Sequence, residues 1–320
     1  MLSRRHLRVK VLQALYAWFQ SGSTSLDQGD KQLILSINKL YELFIHQLSF
    51  LTELVRYAER RMEDNKKKLL PTDDDLNPNT RFLHNRVIAA IHNNRDFRRK
   101  EARYHINWAD EQELFRRFYN LMRETPEYQL YMTQPRSSFA DDRKFVQFII
   151  ENLFTGFELL QSYYEEKSIY FVDDYHLVSY LLLLFVRHMK EEEFVADTPL
   201  PELLKTAHDE DNEDLEFAKQ LFRKTILRSH DWDVEIARAV DNWELERIAV
   251  MDVIIIKMAL TELTEFESIP VKVSLNEYID ISKYFSTSKS KVFVNGILDR
   301  LVSEFRKQDR IRKTGRGLIE

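Results

Sequence analysis

The sequence predicts an all-α fold, and three observations support this prediction. The 320-residue chain has only six glycines and seven prolines, so residues that interrupt helices are scarce. Leucine, glutamate, lysine and arginine, which all favour helices, are plentiful. Apolar residues recur at three- and four-residue steps, as in Ile37, Leu40, Phe44, Leu48 and Leu51, and no segment shows a convincing strand alternation.

The first predicted helix lies in RRHLRVKVLQALYAW, near the start of the chain. Its apolar residues Leu7, Val11, Ala14, Leu15 and Trp18 fall on one face, which we expect to be buried. The helix therefore needs a partner surface elsewhere in the chain.

The same helix carries a row of basic residues. Arg5 and Tyr16 are eleven residues apart, which is about three turns, so they lie within about 20° of each other, and Arg8 flanks them. Arginine donates forked hydrogen bonds to phosphate, and a tyrosine ring can stack on an unpaired base. A solvated basic helix end is the alternative, although arginines at a helix N-terminus oppose the helix dipole.

Four connections separate the long helical segments. Proline, aspartate, asparagine and serine cluster in residues 20–30, 63–80, 124–138 and 196–214, and such clusters break helices and begin turns. Between these connections the helical periodicity continues to the end of the chain. The longest apolar run, YLLLLFV at residues 180–186, is far shorter than the roughly 20 residues that a membrane span requires.

The composition argues against an enzyme. The chain has no cysteine, which excludes disulfides, thiolate zinc sites and a cysteine nucleophile, and which fits a cytoplasmic location. It also has no glycine-rich phosphate loop and no His-Glu-x-x-His motif, and its nine histidines are scattered singly. We therefore expect no catalytic residue, no cofactor and no metal.

Positive charge is concentrated at the two ends. The net charge is −5, yet SRRHLRVK near the start and FRKQDRIRKTGRG near the end are strongly basic, while TDDD and HDEDNEDLE make the middle acidic. A local basic surface, and not the net charge, is the electrostatic sign of nucleic-acid binding.

A second basic segment, SKSKVFVNGILDRL, occupies residues 288–301. We expect a polar turn with Lys289 and Lys291, followed by a helix whose N-terminal amides attract phosphate. Phe293 either offers a stacking face or belongs to the core. Gly296 permits close approach of a helix or of an RNA backbone, and we favour the helix.

The C-terminal third resembles the NusB family of transcription antitermination factors. The similar segments are IIIKMALTEL, IPVKVSLNEYIDISKYF and KVFVNGILDRL, in family order, and RRHLRVKVLQALYAW resembles the arginine-rich first helix of the family. The resemblance implies a non-enzymatic all-helical protein. It also implies binding of single-stranded boxA-type RNA in rRNA leader transcripts, together with the small-subunit ribosomal protein that acts as NusE, in the transcription elongation complex.

The resemblance also implies a domain organisation. Residues 1–20 and 213–308 would form the NusB-like RNA-binding core, residues 21–212 a helical insertion, and residues 309–320 a basic C-terminal tail. The role of the insertion cannot be predicted from the sequence.

Nine site residues follow from the same resemblance. The residues that match RNA-contacting positions or the adjacent loop are Arg4, Arg5, Arg8, Tyr16, Lys289, Lys291 and Phe293. Asp252 and Lys257, at the start of a later helix, match the NusE-binding side. The family often has an acidic residue where Lys289 stands and a lysine where Val292 stands, so the detailed contacts differ.

Two other functions are compatible with a helical fold of this kind. A protein-interaction scaffold that has lost RNA binding predicts that the basic ends are irrelevant. An RNA-binding module related to rRNA cytosine methyltransferases would require a cofactor-binding α/β domain and a cysteine nucleophile, and this chain has neither.

Overall fold

The computed structural model describes residues 2–134, 138–204, 213–240 and 248–319, and these residues form helices joined by turns. The all-α prediction is confirmed. The α-helices of the described residues are α1 (Arg4–Ser21), α2 (Leu26–Lys66), α3 (Asp73–Leu76), α4 (Arg86–Asn93), α5 (Arg95–Arg103), α6 (Gln112–Glu124), α7 (Pro126–Thr133), α8 (Phe139–Phe148), α9 (Glu158–Lys167), α10 (Tyr175–His188), α11 (Glu213–Leu227), α12 (Ser229–Ala239), α13 (Val250–Glu265), α14 (Val271–Phe285) and α15 (Ser290–Lys307).

The chain divides into two compact units. The terminal unit comprises residues 1–37 and 202–320, and the central unit comprises residues 38–201, so the long helix α2 contributes to both. These limits lie near the predicted boundaries at residues 20 and 213 without coinciding with them. The interpretation of the central residues as an insertion stays a prediction.

Helix α1 is fixed in the terminal unit by its apolar face. Leu7, Val11 and Leu15 are fully buried in one hydrophobic core that also contains residues of α11, α13, α14 and α15. Gly22 ends the helix with φ 62°, a left-handed conformation that glycine adopts without a steric cost. The sequence pattern of this helix therefore corresponds to its buried side.

The core of the central unit is strongly aromatic. The ring of Phe50 in α2 stacks on Phe115 at 4.8 Å between centroids and meets Phe118 edge-on at 4.9 Å. The indole N–H of Trp108 donates to Ser49 Oγ at 2.8 Å, so this buried ring keeps a hydrogen-bond partner. Such packing stabilises the central unit by burying large apolar surfaces.

The described residues of the C-terminal segment pack back onto the terminal unit. The Thr314 N–H donates to the Glu267 carbonyl at 3.0 Å. A Cβ on Gly317 would lie 1.9 Å from that same oxygen, so only glycine permits this approach. Residues 313–317 are therefore docked on the end of α13 and its connection to α14, whereas the sequence suggested a tail.

Candidate nucleic-acid interface

The first two arginines of α1, half-buried Arg4 and exposed Arg5, are both engaged with carboxylates. Arg4 forms an ion pair with Glu213 and lies over the Phe217 ring. Arg5 donates to both Glu277 oxygens at 2.8 and 2.9 Å and to Asp280 Oδ2 at 3.1 Å. The carboxylates of α14 therefore neutralise Arg5 in the free protein.

The third arginine, Arg8, has a different role from the predicted one. It is 2% exposed, and its guanidinium donates two 2.7 Å hydrogen bonds to the fully buried Glu262. The Ser274 and Tyr278 hydroxyls donate to the same carboxylate at 2.7 and 2.9 Å. The predicted phosphate contact is therefore corrected, because a buried guanidinium that is bound on both forks cannot reach a phosphate.

This buried network also fixes the protonation of Arg8. Burial alone would lower the pKa of Arg8, but the hydrogen bonds and the negative charge of Glu262 outweigh it and raise that pKa. Arg8 therefore stays charged, and its hydrogen bonds to Glu262 join α1 to α13. Arg8 positions the first helix, and the exposed residues of that helix depend on it.

Tyr16 lies open to solvent further along α1. It is 41% exposed and follows Arg5 by eleven residues, so the two share a side of the helix about 16 Å apart along its axis. The ring is accessible to a base. No other site residue is close to it along the sequence.

The start of α15 presents two lysines to solvent. Lys289 precedes the helix, Lys291 lies in its first turn, and both are exposed. Neither forms an ion pair within 4.0 Å in the part of the chain that the structure describes. Phe293 is half-buried and packs against the core, so only part of its ring is available for stacking.

Gly296 lies on the exposed side of the same helix. A Cβ built there would have no heavy atom within 4 Å, so no other helix packs on it. The prediction of helix packing at Gly296 is wrong. The open position leaves room for an approaching ligand beside Phe293.

Asp280 of α14 interacts with cations from both basic regions. The pKa of Asp280 is lowered, first by the hydrogen bond from Lys283 and further by the charges of Arg5 and Lys291. Arg5 of α1 and Lys291 of α15 therefore both stabilise the charged form of Asp280. Arg5 of α1 binds Asp280 at 3.1 Å, and Lys291 of α15 acts on the same carboxylate of α14.

Helix α14 also contains an aromatic residue that the sequence analysis missed. Tyr284 is 80% exposed and lies seven residues after Glu277 and four after Asp280, on the same side of α14. The signal was present in the sequence: Tyr278 and Ile281 mark the buried stripe of this helix, and Tyr284 falls outside it. An exposed tyrosine among lysines is a candidate stacking residue.

Asp252 and Lys257 are not on an exposed face of α13. Asp252 is 4% exposed and accepts a 2.7 Å hydrogen bond from the Ser290 hydroxyl. Lys257 is 6% exposed and donates to Ser229 Oγ at 2.7 Å and to Asp233 Oδ2 at 2.8 Å. Direct partner binding by these two residues is therefore corrected to an internal role, in which Asp252 holds the start of α15.

Neither a metal cluster nor a membrane-spanning helix is found in the described residues. No group of three or more histidine, aspartate or glutamate side chains that could hold a metal occurs in the described ranges. Over those ranges, no helix has both the length and the apolar character needed to cross a membrane.

Part of the chain is similar in sequence to known proteins. Residues 179–303 match the sequence model of the NusB family. The transcription antitermination protein NusB of Salinibacter ruber is 44% identical over 124 residues, which are 39% of this chain and 78% of that protein. The protein of the same name from Chloroherpeton thalassium is 40% identical over 33% of this chain and 50% of its own length.

A third relative extends the same pattern. The transcription antitermination protein NusB of Thermodesulfovibrio yellowstonii is 37% identical over 30% of this chain and 65% of its own length. No solved structure matches the chain. The family match begins at residue 179, inside α10, and so earlier than the predicted start of the core at residue 213.

Proposed function

We propose that this chain, which belongs to the NusB family, is a transcription antitermination factor that binds single-stranded boxA-type RNA of rRNA leader transcripts. The prediction of a non-enzymatic protein is supported by the family. In this proposal the RNA lies on the surface formed by the exposed side of α1, the exposed side of α14 and the start of α15. We call it the α1–α14–α15 surface.

One observation carries this proposal: Lys289 and Lys291, which have no ion pair in the described part of the chain, follow the exposed Tyr284, and Lys291 acts on the carboxylate that Arg5 binds. Lys289 and Lys291 offer positive charge that no carboxylate of the described residues neutralises at short range. Tyr284 offers a ring that is 80% exposed, so a base can stack on it with little rearrangement. Cations that track a backbone and rings that stack on bases are the two requirements of single-strand binding.

The roles of the remaining residues follow from their surroundings. Tyr16 and the exposed part of Phe293 would add stacking, and Arg4 and Arg5 would contact phosphate after leaving their carboxylates. Arg8 would act only by positioning α1, since its guanidinium is held by Glu262. Exchange of a carboxylate for a phosphate gains less than a new contact, so we expect the lysines to contribute more than the arginines.

The proposal includes a protein partner, the small-subunit ribosomal protein that acts as NusE, within the transcription elongation complex. Asp252 would influence this partner indirectly by holding the start of α15 through Ser290. Lys257 would do so by joining α13 to α12 through Asp233. Sequence selectivity is expected to require the partner, because the surface offers charge and rings but no paired set of base-reading side chains.

The test is a binding measurement with two RNAs of equal length and composition. One carries a boxA-type sequence and the other carries the same bases in scrambled order, each measured with and without the NusE-type ribosomal protein. We expect both RNAs to bind the chain alone and the boxA-type RNA to gain affinity when the partner is present. Failure to bind either RNA at low salt would contradict the proposal.

The scaffold function is the second candidate, and one observation favours it. Leu69 and Leu70, between α2 and α3, are 101% and 89% exposed, which is unusual for adjacent leucines. If the central unit works only as a protein scaffold, Leu69→Ser/Leu70→Ser should remove partner binding while RNA binding is absent from the parent protein as well.

A further inference from the structure

An open groove lies on the terminal unit next to the start of α1. Its volume is about 760 Å³, within the range of roughly 300–1,000 Å³ that is typical of small-ligand sites. Three segments line it: the first turn of α1, the connection into α14, and the docked C-terminal segment. We call it the C-terminal groove, and its apolar lining residues are Ile269, Pro270, Val273 and Ile319.

The charged residues around this groove are mostly arginines. Arg4, Arg5, Arg8 and Arg316 line it, and Glu277 is the one acidic residue among the described lining residues. Arg8 is occupied by Glu262, Arg5 by Glu277 and Asp280, and Arg4 by Glu213. Arg316 is exposed and has no ion pair in the described ranges, so it is the cation that an incoming anion meets first.

The position of Arg316 is set by the docking of its segment. Gly317, which follows it, lies against the Glu267 carbonyl, and the Thr314 N–H donates to the same oxygen. Lys313 Nζ donates to the Phe266 carbonyl at 2.8 Å, which ties the segment to the end of α13. These contacts hold the backbone on both sides of Arg316 and leave its side chain at the groove.

We propose that the C-terminal groove binds one nucleotide of the RNA strand, with its base on the apolar floor and its phosphate at Arg316. The inference rests on the proposed RNA-binding function and extends it to a site that the sequence comparison did not suggest. An apolar floor with a cation at its rim matches a nucleotide, which has an apolar ring face and a charged phosphate. Arg5 belongs both to this groove and to the α1–α14–α15 surface, so one strand can contact both.

The experiment uses the full chain and a labelled single-stranded RNA, with affinity measured between 50 and 200 mM salt. Arg316→Gln removes the rim cation, and Val273→Glu places a negative charge on the floor at a residue that is 44% exposed. Arg312→Gln is the matched control, because Arg312 lies in the same segment, is 73% exposed at its side chain and does not line the groove.

We expect Arg316→Gln to lower the salt slope by roughly 0.7, the value for one phosphate contact on a single strand. The advantage of the parent protein over this variant should then shrink by about 2.6-fold between the two salt concentrations. Val273→Glu should also weaken binding, and Arg312→Gln should behave like the parent. Photo-crosslinks from the RNA to residues 268–273 should be lost in Arg316→Gln.

Two outcomes separate this inference from the proposed function. If Arg316→Gln and Val273→Glu both bind like the parent while Tyr284→Ala binds more weakly, the groove holds no nucleotide and the RNA surface stands. If these variants and Lys289→Gln/Lys291→Gln all bind like the parent, the groove and the α1–α14–α15 surface both fail. An equal loss of RNA affinity in Arg316→Gln and Arg312→Gln would show a general charge effect and would contradict nucleotide binding in the groove. Binding of an acidic peptide at Arg316 that RNA does not displace would contradict it as well.

Discussion

The two basic regions of the terminal unit have similar sequences of charge and different surroundings. At the start of α1, three arginines face carboxylates from α11, α13 and α14, and one of them is buried. At the start of α15, Lys289 and Lys291 are exposed and form no ion pair within 4.0 Å among the described residues. A basic residue in the sequence is thus available to a ligand only where the fold does not pair it with a carboxylate.

The largest expected effect is a loss of stability when the buried arginine of α1 is replaced. Arg8→Met should lower the free energy of unfolding by about 3–5 kcal/mol, because it leaves the buried Glu262 carboxylate without its cation. The measurement is denaturant unfolding. The control is Arg8→Met/Glu262→Gln, which removes both charges and should recover much of the loss. A loss below about 1 kcal/mol for the single variant would show that the pair does not hold α1 in place.

The next effect concerns stacking on α14. Tyr284→Ala should weaken single-stranded RNA binding by about 1–3 kcal/mol with little change in salt slope, because it removes a ring and no charge. Tyr180→Ala is the matched control, since Tyr180 is 54% exposed on α10 in the central unit. Equal affinities for the two variants would remove Tyr284 from the interface.

A substitution that removes a carboxylate beside the cations should strengthen RNA binding. Asp280 lowers the positive charge around Arg5, Lys283 and Lys291. Asp280→Asn should therefore strengthen RNA binding and steepen the salt slope by up to roughly 0.7, the value for one additional phosphate contact. Asp299→Asn, at an exposed position of α15, changes the net charge equally and should strengthen RNA binding less. An identical gain in both variants would mean that only net charge matters.

The last expected effect is a pH dependence of the free energy of unfolding at Lys313. Burial lowers the pKa of Lys313 from 10.5 to about 8 in the folded protein, although Glu262 and Glu267 oppose this shift. Between pH 8 and 10.5 the unfolded chain therefore binds more protons, and the free energy of unfolding rises with pH. Below pH 8 the contribution becomes constant, because both states carry the charge.

The comparison protein for this test is Lys313→Met. Its free energy of unfolding should lack the rise that Lys313 adds between pH 8 and 10.5, and the two proteins should run parallel at pH 6–7. Parallel curves over the whole range would show that Lys313 is solvated like an ordinary lysine.

Much of the fold could be predicted from the sequence, but the state of the charged residues could not. Periodicity located the buried stripe of α1 because apolar spacing reports directly on burial. It could not show that Arg8 pairs with Glu262, since that contact joins residues 254 positions apart. Asp252 and Lys257 were misplaced for the same reason: family position suggests a face, and only packing decides which polar residues are covered.

The exposed residues show the converse. Tyr284 could have been recognised, because it lies outside the apolar stripe that Tyr278 and Ile281 define. The docking of residues 313–317 could not be recognised, because it depends on a close approach of Gly317 to one carbonyl of a distant turn. A basic C-terminal stretch reads as a tail until its backbone contacts are known.

The most direct test of the RNA surface is the salt dependence of RNA binding in a variant of the α15 start. Lys289→Gln/Lys291→Gln should lower the salt slope by roughly 1.4, or 0.7 for each phosphate contact. The control Lys66→Gln/Lys67→Gln removes the same charge from exposed positions of the central unit and should leave the slope at the parent value. Equal slopes for the parent and both double variants would contradict the proposal that RNA binds at the start of α15.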